Sequence, residues 1–118
     1  MPRRTKYLIV LAILFLPLLS ACVPASEGFS TVPSDDWFFR LGRCEQPGSG
    51  YQGVQWDSYG NYPGGLGFLP ATWNLVKDED WPAVMSDASW VQQVIAGRRL
   101  YMMYGTSPWG CSATIGAP

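Results

Sequence analysis

An apolar run from Tyr7 to Leu19 follows the basic opening Met1-Pro2-Arg3-Arg4-Thr5-Lys6, and its 13 residues decide what the rest of the chain has to build with. A spanning helix needs about 20 consecutive apolar residues, whereas a basic segment followed by about 7 to 15 apolar positions is the layout of a secretory signal. The run is therefore read as an export signal over 1–21. Residues 22–33 are rich in Ser, Pro, Gly and Thr and read as a tether. One domain is expected over 34–114, with 115–118 as a short tail. At about 80 residues a single core is marginal, and a covalent staple is expected.

The run closes on Leu19-Ser20-Ala21-Cys22. This resembles the lipobox of bacterial lipoproteins, in which a Leu and two small residues precede a cysteine that carries a diacylglyceryl group. The alternative is an ordinary cleaved signal that ends near a cysteine. The resemblance implies that Cys22 is lipidated and that the protein is exported and held on the outer face of the cell membrane, since two or three acyl chains anchor stably where one does not. The chain has three cysteines, and an odd thiol in an exported protein is unusual. A lipid on Cys22 leaves Cys44 and Cys111 as the pair. Their bridge would close most of the domain into one loop, a stabilisation of roughly 4 kcal/mol by chain entropy.

Removing 1–21 takes away three of the eight basic residues and none of the nine acidic ones, for a formal charge of about −4. No nucleic-acid partner is expected, because phosphate binding depends on clustered Lys and Arg. The chain has no histidine, which excludes Ser-His and Cys-His nucleophile pairs and every His-ligated metal site. There is no metal cluster, phosphate loop or dinucleotide fingerprint, so neither metal nor cofactor is expected.

Ser34 is a good N-cap with Asp35 and Asp36 behind it, and Trp37, Phe38, Leu41 and Cys44 recur at helical spacing, so a helix is predicted up to Pro47-Gly48. From Tyr51 to Phe68 aromatics alternate with Gly, Asp and Asn, which predicts a small irregular β element. Pro70 opens a short helix through Thr72, Trp73 and Val76. A longer one is predicted from Ser86 or Asp87 to a Gly105 cap, with Trp90, Val94, Gly97, Tyr101 and Tyr104 on one face. Gly97 inside that helix suggests close packing against another backbone. The fold class is α+β, mostly helical, in one small domain with one disulfide.

Glu45 follows Cys44 directly, and Phe38 and Leu41 lie seven and four residues before it on the same helical face. The carboxyl is expected to point inward, where burial and the negative end of the helix dipole both favour its neutral, proton-donating form. A neutral carboxylic acid among aromatics is the chemistry of glycosidic bond cleavage, by analogy with lysozyme. An exposed Glu45 at a frayed helix end is the plain alternative.

Phe38-Phe39-Arg40-Leu41-Gly42-Arg43-Cys44-Glu45, Tyr62-Pro63-Gly64-Gly65-Leu66-Gly67-Phe68, Ala71-Thr72-Trp73, Gln92-Gln93-Val94 with Arg99, and Trp109-Gly110-Cys111-Ser112 stand in the order found in the transglycosylase-like domain of the resuscitation-promoting factors of actinobacteria, which the chain resembles over 38–112. The resemblance implies a lysozyme-like fold acting on peptidoglycan. Glu45 would be the catalytic acid, and Thr72 and Trp73 would line the glycan cleft. Gln93 would contact glycan, and Cys44 and Cys111 would be bonded. Phe38-Phe39 stand where the family has Trp-Asp, Gln46-Pro47-Gly48 follow Cys-Glu, and Gly67 and Leu69 replace polar family positions.

The reaction so implied is protonation by Glu45 of the oxygen joining N-acetylmuramic acid to N-acetylglucosamine, ending in a 1,6-anhydro sugar or in hydrolysis. Asp57 is the one carboxylate between Glu45 and Thr72, and is more plausibly a turn cap with Ser58. Trp56 offers a face for a sugar ring. Tyr51, Trp56, Tyr59, Tyr62 and Trp73 divide between stacking platforms and core, and Trp109 packs on the bridge. The expected partners are glycan strands, the membrane through its anchor and a partner cell-wall hydrolase, with the protein a monomer. The competing reading is a lysozyme-like lipoprotein that binds wall glycan or a partner protein with weak turnover or none.

Overall fold

Ser34 starts the first helix, its side chain accepting the Trp37 N–H at 3.2 Å while Asp35 and Asp36 occupy the positive first turn. The computed structural model describes residues 32–118; the export signal, Cys22 and nearly all of the tether lie outside the described residues. Helix α1, Asp35–Glu45, buries Trp37, Phe38, Phe39, Leu41 and Gly42. Gly42 is required by proximity: a Cβ there would meet both Val54 methyls at 2.8 Å. α1 thus presses directly on the loop that follows it.

That loop is not a sheet. Between α1 and Phe68 the expected β element is reduced to a single bridge between Pro47 and Val54, with a 3-10 turn at Tyr51–Gly53, and no strand occurs among the described residues. The fold is therefore mostly helical, and the α+β expectation is corrected. The reason lies in the backbone bonds. Gly48 N–H reaches the Gly53 carbonyl at 3.1 Å, Gln55 the Gln46 carbonyl at 2.8 Å and Gly64 the Ser58 carbonyl at 2.8 Å, so turns take up the groups that a ladder would use. Pro47 and Pro63 have no N–H to give.

Helix α2, Pro70–Val76, has Pro at its first position and buries Trp73 and Val76. Helix α3, Trp90–Tyr104, begins later than predicted. Ser86 and Asp87 sit in a separate 3-10 turn, Met85–Asp87, and the cap is Ser89, which forms a capping box with Gln92. The buried face of α3 is Gln93, Val94, Ala96, Gly97 and Leu100, whereas Tyr104 is exposed. Gly97 does mark a close approach, but to side chains: its Cβ would lie 2.8 Å from the Phe38 ring and 2.9 Å from Leu66.

Helix α4, Ser112–Ile115, returns to α1. The Trp37 indole donates to the Gly116 carbonyl at 3.0 Å, and Arg40 to that of Ile115 at 3.1 Å. Arg98 donates to the carbonyl of buried Pro33 at 3.0 Å. Residues 33, 115 and 116 therefore belong to the packed unit, which is slightly wider than the predicted 34–114. Its core is aromatic: Trp109 meets Trp37, Phe38 and Phe68 with centroids 6.0 to 6.2 Å apart. Among the described residues no helix is long and apolar enough to cross a membrane.

Candidate active site

Glu45 is the last residue of α1, and its neighbour Cys44 is bonded to Cys111, with Cα atoms 5.9 Å apart. The Cys111 N–H donates to Glu45 Oε1 at 3.1 Å, so the bridge that joins the two ends of the domain also delivers the donor that orients the carboxylate. Glu45 is half-buried, while Phe38 and Leu41 on its helix are fully buried. The expected position in an apolar interior is corrected accordingly. The helix ends at Glu45 with Gln46 as its cap, and its last turn leads from the core to a cleft.

The cleft around Glu45 has a volume of about 290 Å³ and is lined by Gln46, Tyr62, Gly67, Pro108 and Gly110 as well. Tyr62, Gly67 and Pro108 also line an adjoining hollow of about 220 Å³ that reaches Leu69, Thr72 and Leu100. The two form one groove with Glu45 at one end and Thr72 at the other. Gly67 forms the floor between them with φ of +66°, a left-handed conformation suited to glycine, and a Cβ there would come within 3.6 Å of Glu45 Oε2. That second carboxylate oxygen has no hydrogen-bond partner among the described residues.

Gln46 holds the far wall. Its amide donates to the Tyr62 carbonyl at 3.1 Å, and the Ser58 hydroxyl donates to its Oε1 at 3.2 Å. Gln46, Tyr62, Pro108 and Gly110 are cleft residues to which the sequence reading gave no site role, apart from Tyr62 as one of several aromatic platforms. The signal available for Gln46 was its place directly after Glu45; Pro108 and Gly110 offered only their proximity to Cys111.

Three expected glycan contacts lie elsewhere. Trp73 is 1% exposed, donates to the Pro82 carbonyl at 2.9 Å and stacks on Trp81. Trp56 is 8% exposed and donates to the Tyr51 carbonyl at 2.9 Å. Gln93 is fully buried: its Oε1 accepts the Gly65 N–H at 2.8 Å, and its amide donates to the carbonyls of Trp56, Met85 and Ala88 at 2.8 to 3.1 Å. Each was expected at a surface and is instead consumed by the interior. Tyr51, Tyr59 and Tyr62 are the exposed members of the aromatic set.

Asp57 is exposed and accepts from the Gln55 amide; it lines neither part of the groove, and no bond to Ser58 forms. Glu45 is the sole carboxylate in the groove lining. Trp109 is 3% exposed and packs on aromatic rings, and its indole N–H has no partner. Among the described residues no three acidic or sulfur side chains are grouped as metal ligands. Compared with known proteins, the chain matches no family model, no curated protein and no solved structure.

Proposed function

We propose that this protein is a lipid-anchored enzyme that cleaves the bond between N-acetylmuramic acid and N-acetylglucosamine in peptidoglycan, on a lysozyme-like domain, with Glu45 as general acid and base. The observation that carries the reading is the Glu45 carboxyl at one end of a groove, with one oxygen fixed by the Cys111 N–H and the other open to the groove floor. In the first step protonated Glu45 gives its proton to the bridging oxygen as the bond to the anomeric carbon breaks through an oxocarbenium-like state. The Glu45 carboxylate then takes the proton of the muramic 6-hydroxyl, whose oxygen closes on the anomeric carbon. The product is a 1,6-anhydro sugar.

Hydrolysis by the usual routes needs a second carboxyl group roughly 5 to 9.5 Å from the first, and no other carboxylate lines the groove. This supports the lytic transglycosylase outcome. Thr72, half-exposed at the far end, supplies a hydroxyl for the glycan. The domain would work at the outer face of the membrane, held by a lipid on Cys22. The second reading is a glycan- or partner-binding lipoprotein with weak turnover, and it is favoured by the withdrawal of Trp56, Trp73 and Gln93 into the core.

The test is incubation of the oxidised full chain with purified peptidoglycan and mass spectrometry of the soluble fragments. Anhydro-muropeptides are expected, with Glu45→Gln releasing them at least ~100-fold more slowly. Products unaffected by that change overturn the assignment of the acid, and glycan binding without product upholds the second reading. The mass of the membrane-extracted protein checks the anchor: an unmodified Cys22 thiol refutes it.

A further inference from the structure

The five basic residues from Val32 onward all have acceptors within the domain. Arg40, Arg98 and Arg99 pair with Asp36, Asp35 and Asp78, while Arg43 and Lys77 donate to the carbonyls of Gln52 and Asp78. Asp57 and Asp87 pair with no cation among the described residues. Asp87 accepts the Tyr59 hydroxyl at 2.9 Å, and Tyr59 is 72% exposed. The hydrogen bond to Asp87 and then its charge hold the Tyr59 phenol above its ordinary value, against a lowering contribution from the nearby Ser86 hydroxyl and with the Asp57 charge the smallest addition.

Tyr59 forms one wall of a cavity of about 170 Å³ whose other walls include Pro63, Pro70, Trp73, Val84 and Met85. It shares no lining residue with the Glu45 groove. The volume is several times the roughly 30 Å³ that a water molecule takes up in the liquid. Its walls suit methylene groups, and the exposed face of Tyr59 attracts a cation. Asp87 and Asp57 do not line the cavity, but Asp87 adjoins it through the Tyr59 hydroxyl, and neither carboxylate has a counter-charge among the described residues. An ammonium without a carbon stem would leave the walls unfilled, and a neutral alkyl group would leave the acids unmatched.

We propose that this cavity binds the alkylammonium side chain of a peptide, with its methylenes against the proline and valine walls and its charge on Asp87 and the Tyr59 ring. The site is independent of Glu45 and of the reaction proposed there. The test uses the full oxidised chain in a non-ionic detergent, with the Met85 methyl and the Trp73 indole followed by NMR. The probe is an all-L Ala-Lys-Ala peptide, compared with its Nε-acetylated counterpart. Saturable shifts at Met85 and Trp73 are expected with the amine, while the methyls of Met102 and Met103, exposed on α3, stay in place.

Affinity for the neutral peptide is expected to be lower by about tenfold, as is that of Asp87→Asn for the amine, and binding should weaken as salt is raised. No saturable shift, an equal response to the acetylated probe, or full affinity in Asp87→Asn overturns the proposal. A second amine probe in which D-alanine follows the lysine distinguishes a wall peptide from a protein lysine as the source. Binding of either upholds the site, and the tighter one identifies the donor.

Discussion

The side chain of Gln93 bonds four backbone groups: the Gly65 N–H and the carbonyls of Trp56, Met85 and Ala88. The Met85 carbonyl also accepts the Ala88 N–H, whereas the other three have no further partner among the described residues, and an unsatisfied buried group costs about 1 to 3 kcal/mol. Gln93→Leu is therefore expected to lose about 3 kcal/mol or more, read from the urea midpoint of unfolding. Gln93→Glu should do no better, because an ionised carboxylate has no donor for three carbonyls. Tyr59 gives a prediction of a different kind. Its phenol titrates above the ordinary value because the protonated form donates to Asp87 and the ionised form is repelled by it. The neutral phenol thus contributes fully to stability below the unfolded value, and the contribution is lost as pH rises through the folded one, in the alkaline range. In Asp87→Asn, NMR titration of the Tyr59 ring should find its midpoint moved down toward the ordinary value; an unmoved midpoint refutes the Asp87 contact.

Helix α3 starts where Ser89 and Gln92 exchange hydrogen bonds, at 3.1 Å in both directions. Ser89→Ala is expected to cost about 1 kcal/mol, seen as a lower thermal midpoint with the fold intact. The same helix shows what the chain's order of residues discloses and what it withholds. The Ser34 cap, Pro70 at the first position of α2 and the Gly105 stop are local chemistry, and all three were legible. The start of α3 was missed although Ser89 alone has a glutamine three residues on, the signature of a capping box, because Ser86 and Asp87 offer similar cap oxygens. The stretch from Tyr51 to Phe68 does not form the expected β element because local turns take up some of its backbone groups and a distant side chain takes others. Gly65 and Trp56 bond a glutamine 28 and 37 residues away, which no local pattern announces. Glu45 and Thr72 were singled out from motifs and both line the groove, whereas Trp73, taken from the same motif as Thr72, and Trp56, taken for its aromatic face, do not. A tryptophan reads alike whether it faces sugar or core, and here the core takes both.

At the scale of the whole molecule, the Cys44–Cys111 bond spans 67 positions of the chain and carries the N–H that positions Glu45. Reduction, or Cys44→Ala with Cys111→Ala, is expected to cost roughly 4 kcal/mol of stability. Comparison of oxidised and reduced protein in urea checks this. Further ties between the two ends include the grip of Trp37 and Arg40 on the carbonyls of 116 and 115. Both ties join the first helix to residues 111–116, so no nascent fragment shorter than that can complete the native structure. A chain cut short of residue 111 would leave the first helix without the partners that close the domain.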